Sequence, residues 1–179
     1  MLQVSVNQNL FFYNTEKSLP FGRLERLMKP INELRIAIAN DHAGFEMKTA
    51  ILEYLKSKSP LALKDFGSYT PESVDYPDYA HPMAFAIENG EFDYGISICG
   101  TGNGISMVLN KHQGIRAGLC WSEEIAELVR RHNDANILSL PGRFITTEQA
   151  LSMVDVFFST DFEGGRHQKR IDKIPVITC

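Results

Sequence analysis

From residue 34 onward, short apolar runs alternate with stretches whose apolar residues recur every three to four positions. That alternation limits the chain to few architectures. Residues 34–39 are rich in Ile and Ala and end in the polar Asn40-Asp41-His42. Helical spacing follows at once, with Phe45, Met47, Ile51, Tyr54 and Leu55 in register. Residues 61–66, 94–99, 116–120 and 135–140 read as four further strands. Between them lie a helix over 77–88 with Met83, Ala84 and Ile87 on one face, and a helix over 105–111. A third places Ile125, Leu128, Val129 and His132 on one stripe. After the last strand, Thr146 and Gln149 stand at capping-box spacing before a helix carrying Leu151, Val154 and Phe158. Beyond Gly164-Gly165 comes a basic tail or short helix. Five strands alternating with helices predict an α/β chain: a three-layer αβα, Rossmann-like fold around a five-stranded parallel sheet. Crossovers in such a sheet are right-handed.

Composition narrows the function classes. The 179 residues are 44% hydrophobic and 22% charged, enough for one domain with a large core and no stapling disulfide or metal. No apolar stretch approaches the ~20 residues a membrane-spanning helix needs. A net charge of −4 argues against a general nucleic-acid binder. Cys99, Cys120 and Cys179 are odd in number, widely spaced and without a CxxC pair, so they read as reduced thiols of a cytoplasmic protein. Residues 1–33 differ in kind. An apolar patch over 10–13, then Pro20 and Pro30, give no clean period, and a secretory signal is lacking. They are expected to form an N-terminal extension on the surface, or to precede a true start at Met28, with the functional domain over 34–179.

Ligands of parallel α/β sheets sit beyond the carboxyl ends of the strands. That rule points to residues 40–42, 99–104 and 141–143. In Cys99-Gly100-Thr101-Gly102-Asn103-Gly104, three glycines let the backbone approach a ligand and aim several N–H groups into one concavity. Such a nest holds a phosphate or a developing oxyanion. It matches neither a Walker A loop nor the dinucleotide fingerprint. Cys99 is either a buried thiol before a tight turn or a reactive one favoured by the positive end of the next helix. Asp41 and His42 are either a helix cap with a solvent-facing imidazole or two ligand contacts. His132 is a hydrogen-bonded core residue or an acid–base group at a helix end. Arg166 and Arg170, four apart, share a helix face and reach a phosphate together, or else form a solvated basic end. Arg143 binds an anion or pairs with an acidic neighbour. His81 and His112 read as structural. No His, Cys and carboxylate set has metal-ligand spacing. A small phosphorylated carbonyl compound would use the thiol, cradle, imidazole and arginines together, in proton transfer beside a carbonyl.

Five separated motifs carry a resemblance running from about residue 34 to 173. They are Ala39-Asn40-Asp41-His42-Ala43-Gly44, Asp75-Tyr76-Pro77, Ile98-Cys99-Gly100-Thr101-Gly102-Asn103-Gly104-Ile105-Ser106, Arg131-His132-Asn133-Asp134 and Gly164-Gly165-Arg166-His167-Gln168-Lys169-Arg170. In order and spacing the chain resembles the type B ribose-5-phosphate isomerases of the ribose/galactose isomerase superfamily. The resemblance implies interconversion of ribose 5-phosphate and ribulose 5-phosphate without metal or organic cofactor. It implies Cys99 as the base moving a proton between C2 and C1, with Thr101 and the Gly100, Gly102, Asn103 and Gly104 backbone stabilising the enediolate. His132 would open the sugar ring, and Asp41 and His42 would bind it. Arg166 and Arg170 would hold the phosphate, with Asn133 and Arg143 completing the pocket. A related branch has Ser at the thiol position and a Glu shortly after the glycine loop; Cys99 and Ile105 match the cysteine branch. A homodimer or homotetramer is implied, with the His132-Asn133 segment and Arg143 reaching the neighbouring subunit's site. Six-carbon substrates, allose 6-phosphate or galactose 6-phosphate, and a non-catalytic sugar-phosphate sensor are the other readings.

Overall fold

The computed structural model describes residues 29–176. The expected surface extension lies outside the described residues except for its last five, where a 3-10 turn at Ile31–Glu33 leads into the first strand. Ile31 packs there against the core. Cys179 also lies outside.

Five parallel strands form the sheet: β1 (Arg35–Asn40), β2 (Ala62–Asp65), β3 (Tyr94–Cys99), β4 (Ala117–Leu119) and β5 (Ile137–Pro141), in the order β2-β1-β3-β5-β4. The helices are α1 (Phe45–Ser57), α2 (Pro77–Glu88), α3 (Asn103–Leu109), α4 (Glu123–Asn133), α5 (Thr147–Ser159) and α6 (Arg166–Ile171). Successive strand residues point to opposite faces, and the sequence fills the two faces differently. Ile36, Ile38, Ile96, Ile98, Leu138 and Leu140 meet α1, α4 and α5. On the other face Ala37, Ala39, Cys99 and Ile137 meet α2 and α3. Small alanines there bring α2 close to the sheet. Each fully buried Ile contributes about 1.5–3 kcal/mol of burial, so the centre of the sheet is a stiff frame for whatever its strand ends carry.

The expected architecture and element order stand, with shifts at the ends. α3 begins at Asn103 rather than 105, because Gly102 at φ 72° turns the chain straight into the helix. β4 spans 117–119 rather than 116–120. The capping box at Thr146 and Gln149 is formed.

Two buried cations pin loops. Lys48 Nζ reaches Asp65 Oδ2 at 2.8 Å and Ser68 O at 2.7 Å, holding the chain after β2. Arg130, 2% exposed, donates to Asp134 Oδ1 at 2.9 Å and Ala135 O at 2.7 Å. Together with Arg116, which donates to Asp134 O, it locks the turn from α4 to β5, where Asp134 takes φ 45°. That lock sets the place of His132 and Asn133.

Candidate active site

Strand order decides where a ligand can sit. β1 has β2 on one side and β3 on the other, so the carboxyl ends of β1 and β3 border the crevice where the winding of the chain reverses. Asn40 pairs with Ile98, and the Asp41 amide donates to Ile98 O at 3.1 Å. Asp41 Oδ1 accepts from Ala43 N at 2.9 Å and Gly44 N at 3.2 Å. Cap and ligand roles are thus compatible, since both bonds use one oxygen and Oδ2 stays available. His42 Nδ1 accepts from Val74 N at 3.3 Å, so in the neutral ring the proton sits on Nε2 as a donor.

Cys99, 4% exposed, is the last residue of β3. The loop after it is built around its glycines. Gly102 lies in the left-handed region, and a Cβ there would stand 2.3 Å from Leu119 Cδ1. A Cβ on Gly104 would meet the Tyr76 ring at 2.7 Å. Thr101 Oγ1 accepts from Asn103 N at 3.3 Å, while the amides of Thr101, Gly102 and Gly104 donate to no acceptor among the described residues. The result is a nest of free N–H donors beside the thiol. Strand β5 closes the other side: Gly142 N donates to Cys99 O at 2.9 Å and Arg143 N to Gly100 O at 3.1 Å. The exposed Arg143 side chain runs past Gly100, 3.5 Å from where its Cβ would be.

A second group forms elsewhere. α4 runs back against the strands and ends beside the start of β5, so His132 and Asn133 lie at the amino edge of the sheet. Asn136 O accepts from Gly95 N at the start of β3, whereas Cys99 ends that strand. Four residues of strand separate the two edges, about 13 Å. His132 is no core residue. It is half-buried, stacked on His167 of α6 with ring centroids 4.2 Å apart. Glu163 N donates to Arg131 O at 2.9 Å, which draws the segment leading into α6 onto the end of α4. Arg166 and Arg170 are exposed on that helix. Among the described residues, Arg143, Arg166 and Arg170 have no carboxylate partner, as side chains awaiting an anion would.

One step of the sequence reading needs correction here. Folding does bring a ligand-type set together: His132, Glu163 and His167 each offer an atom within 4.8 Å of the others. They fit a metal poorly. An imidazole lone pair lies in its ring plane, and two rings only 3° from parallel cannot both aim at one ion. Arg166 Nε also donates to His167 Nε2 at 3.2 Å.

The profile of the ribose/galactose isomerase family matches residues 36–174. The chain belongs to that family. Ribose-5-phosphate isomerase B of Escherichia coli is 43% identical over 143 residues, covering 80% of this chain and 95% of the relative. Among solved structures, a ribose 5-phosphate isomerase of Thermotoga maritima superposes with a TM-score of 0.77 at 51% identity, covering 79% of this chain and 97% of that one. Ribose-5-phosphate isomerase B of Mycoplasma genitalium, solved with bound ribulose-5-phosphate, has a TM-score of 0.74 at 46% identity, covering 78% and 93%.

Within this member of the family, the expected site residues therefore fall into two groups. Asp41, His42, Cys99, Gly100, Thr101, Gly102, Asn103, Gly104 and Arg143 meet at the carboxyl edge. His132, Asn133, Arg166 and Arg170 meet at the amino edge. Arg143 lies beside Gly100 of its own chain, on the same edge as Cys99, with its side chain exposed. Three further residues escaped the sequence reading. Tyr76 covers Gly104, and its signal was the Asp75-Tyr76-Pro77 motif. His167 lay inside the basic motif. Glu163 stands four residues before His167, just outside that motif, and meets His132 of α4.

Proposed function

We propose that the chain is a sugar-phosphate isomerase interconverting ribose 5-phosphate and ribulose 5-phosphate, with each active site assembled from two copies. The observation carrying this reading is Cys99 at a strand end beside a nest of unengaged amides. The family relatives supply the substrate class.

Ring opening comes first. His132 gives a proton to the ring oxygen, the bond from that oxygen to C1 breaks, and the C1 hydroxyl loses its own proton to water as the aldehyde forms, while Asp41 and His42 hold the sugar hydroxyls. The Cys99 thiolate then takes the C2 proton, and the electrons left behind move through C1 onto the carbonyl oxygen. The amides of the 100–104 loop and Thr101 receive that charge; losing one such donor costs on the order of 3 kcal/mol. The thiol returns its proton to C1 while the proton of the C2 hydroxyl passes to O1, leaving the ketone at C2 and the thiolate restored. No redox change occurs. Arg166, Arg170 and Arg143 bind the phosphate, remote from the reacting carbons, and its binding energy orients C1 and C2.

A monomer would separate acid from base by the depth of the sheet. A second copy placing its α4–α6 corner over the carboxyl edge would close the site. Met107 on α3, Trp121 after β4 and Phe144 after Arg143 are exposed apolar side chains on elements bordering that edge, which supports such a contact. Free Cys99 and Cys120 suit a reducing cytoplasm, and no helix among the described residues is long and apolar enough to cross a membrane.

The test is turnover of ribose 5-phosphate by the purified chain in EDTA, beside C99A. Fast wild-type turnover lost in a folded C99A supports the reading. No turnover by a folded wild type, or an active C99A, refutes it; activity on allose 6-phosphate alone would move the substrate to six carbons.

A further inference from the structure

The α4–α6 corner is more ordered than a phosphate-binding helix end requires. The His132 and His167 rings lie 3° from parallel. Their Nε2 atoms each stand 3.7 Å from the Glu163 carboxylate, His132 at Oε2 and His167 at Oε1. Arg131 approaches Glu163 Oε2 at 3.6 Å and is itself paired with Glu127 at 2.9 Å. The buried His167 receives the Arg166 Nε–H on its Nε2 at 3.2 Å, so that nitrogen carries no proton and the ring is neutral with its proton on Nδ1. Burial, then the charges of His132, Arg166 and Arg170, hold the His167 pKa down against the pull of Glu163. Two stacked imidazolium rings would repel each other. A neutral His167 ring avoids that repulsion.

We propose that His167 and Glu163 are positioning residues for His132: the His167 ring fixes the plane of the acid, and Glu163 fixes its Nε2 edge, so that Nδ1 is presented to the sugar. This rests on His132 being the ring-opening acid. Arg166 ties the acid to the phosphate site, because its Nε is held by His167 while the side chain remains exposed. The two features of His167 therefore separate. Its ring face serves the acid and its Nε2 serves Arg166.

Steady-state kinetics with ribose 5-phosphate on the full chain test this. H167A removes both features: kcat falls about tenfold, as misplacing a reacting group does, and KM rises several-fold. H167F keeps an aromatic face but no acceptor, so kcat returns to within about twofold of wild type while KM stays raised. E163Q, on an exposed residue and so decisive even should H167A fail to fold, lowers kcat about fivefold at unchanged KM. An H167F kcat as low as that of H167A overturns the platform. An E163Q kcat equal to wild type overturns the carboxylate's part. In both cases an active wild type leaves the isomerase reading standing, whereas a silent wild type removes the reading on which the proposal rests.

Discussion

The two edges of the sheet carry two kinds of machinery. At the carboxyl edge the proposed working groups are free amides together with side chains set by strand ends, the Cys99 thiol and an Asp whose second oxygen is spare. Their positions follow from the strand ladder, with Cys99 opposite Pro141 and Asn40 opposite Ile98. At the amino edge the groups are side chains, held by one another through a ring stack and shared carboxylate contacts. The first is suited to stabilising charge that appears on a substrate atom, because its donors need no reorganisation. The second is suited to delivering a proton and gripping a phosphate. In the proposed mechanism neither edge suffices alone.

That contrast can be broken by substitutions confined to one edge. H132N should lower kcat with ribose 5-phosphate by about a hundredfold or more, the usual worth of a positioned acid, while leaving the fold intact. A kcat within tenfold of wild type would place the acid elsewhere. G102A should destabilise the chain by about 1–3 kcal/mol, because an L-residue must adopt φ 72° with its Cβ against Leu119, and should also misplace the cradle. A thermal melt unchanged from wild type would contradict that account of the loop. R170Q removes a charge-assisted contact of about 1.5–3 kcal/mol, so KM should rise roughly tenfold to a hundredfold at little change in kcat; an unchanged KM would remove Arg170 from the phosphate site.

The smallest effect contrasts the two described cysteines. Cys120, fully buried, donates to Gly118 O at 3.5 Å, and burial pushes its thiol up to about 12. In the unfolded chain it ionises near the ordinary 9. Between those values the folded state binds the extra proton, so stability is complete below about pH 9 and declines as pH rises toward 12. C120A should flatten that alkaline decline and leave turnover untouched. A loss of turnover would give the second thiol a role that the site described here does not include.

Much of this was legible in the residues. The alternation of Ile36 and Ile38 with Ala37 and Ala39 encodes two buried faces, and the glycine spacing at 100–104 encodes a nest at a strand end. What the sequence concealed was three-dimensional pairing. His132 sits on the apolar stripe of α4, so periodicity pointed inward, but the stripe's last turn meets α6 and its aromatic neighbour is another histidine. Glu163 lies four residues before His167, but its approach to His132 from a loop is a pairing no local pattern records. Arg143 meets Gly100 through a loop-to-loop backbone bond that no local pattern records. Local chemistry was readable; which edge of the sheet each residue occupies depended on the direction of α4 and the order of the strands.

The division of the site between copies is tested most directly by mixing two inactive variants. C99A and H132A, unfolded together and refolded at equal concentration, should regain about a quarter of wild-type turnover in a randomly mixed dimer, since half the dimers are mixed and each holds one intact site. Recovery at that level, absent when either variant is refolded alone, is the predicted result. A mixture that forms mixed dimers yet stays inactive would show that Cys99 and His132 do not meet across an interface, and would contradict the account.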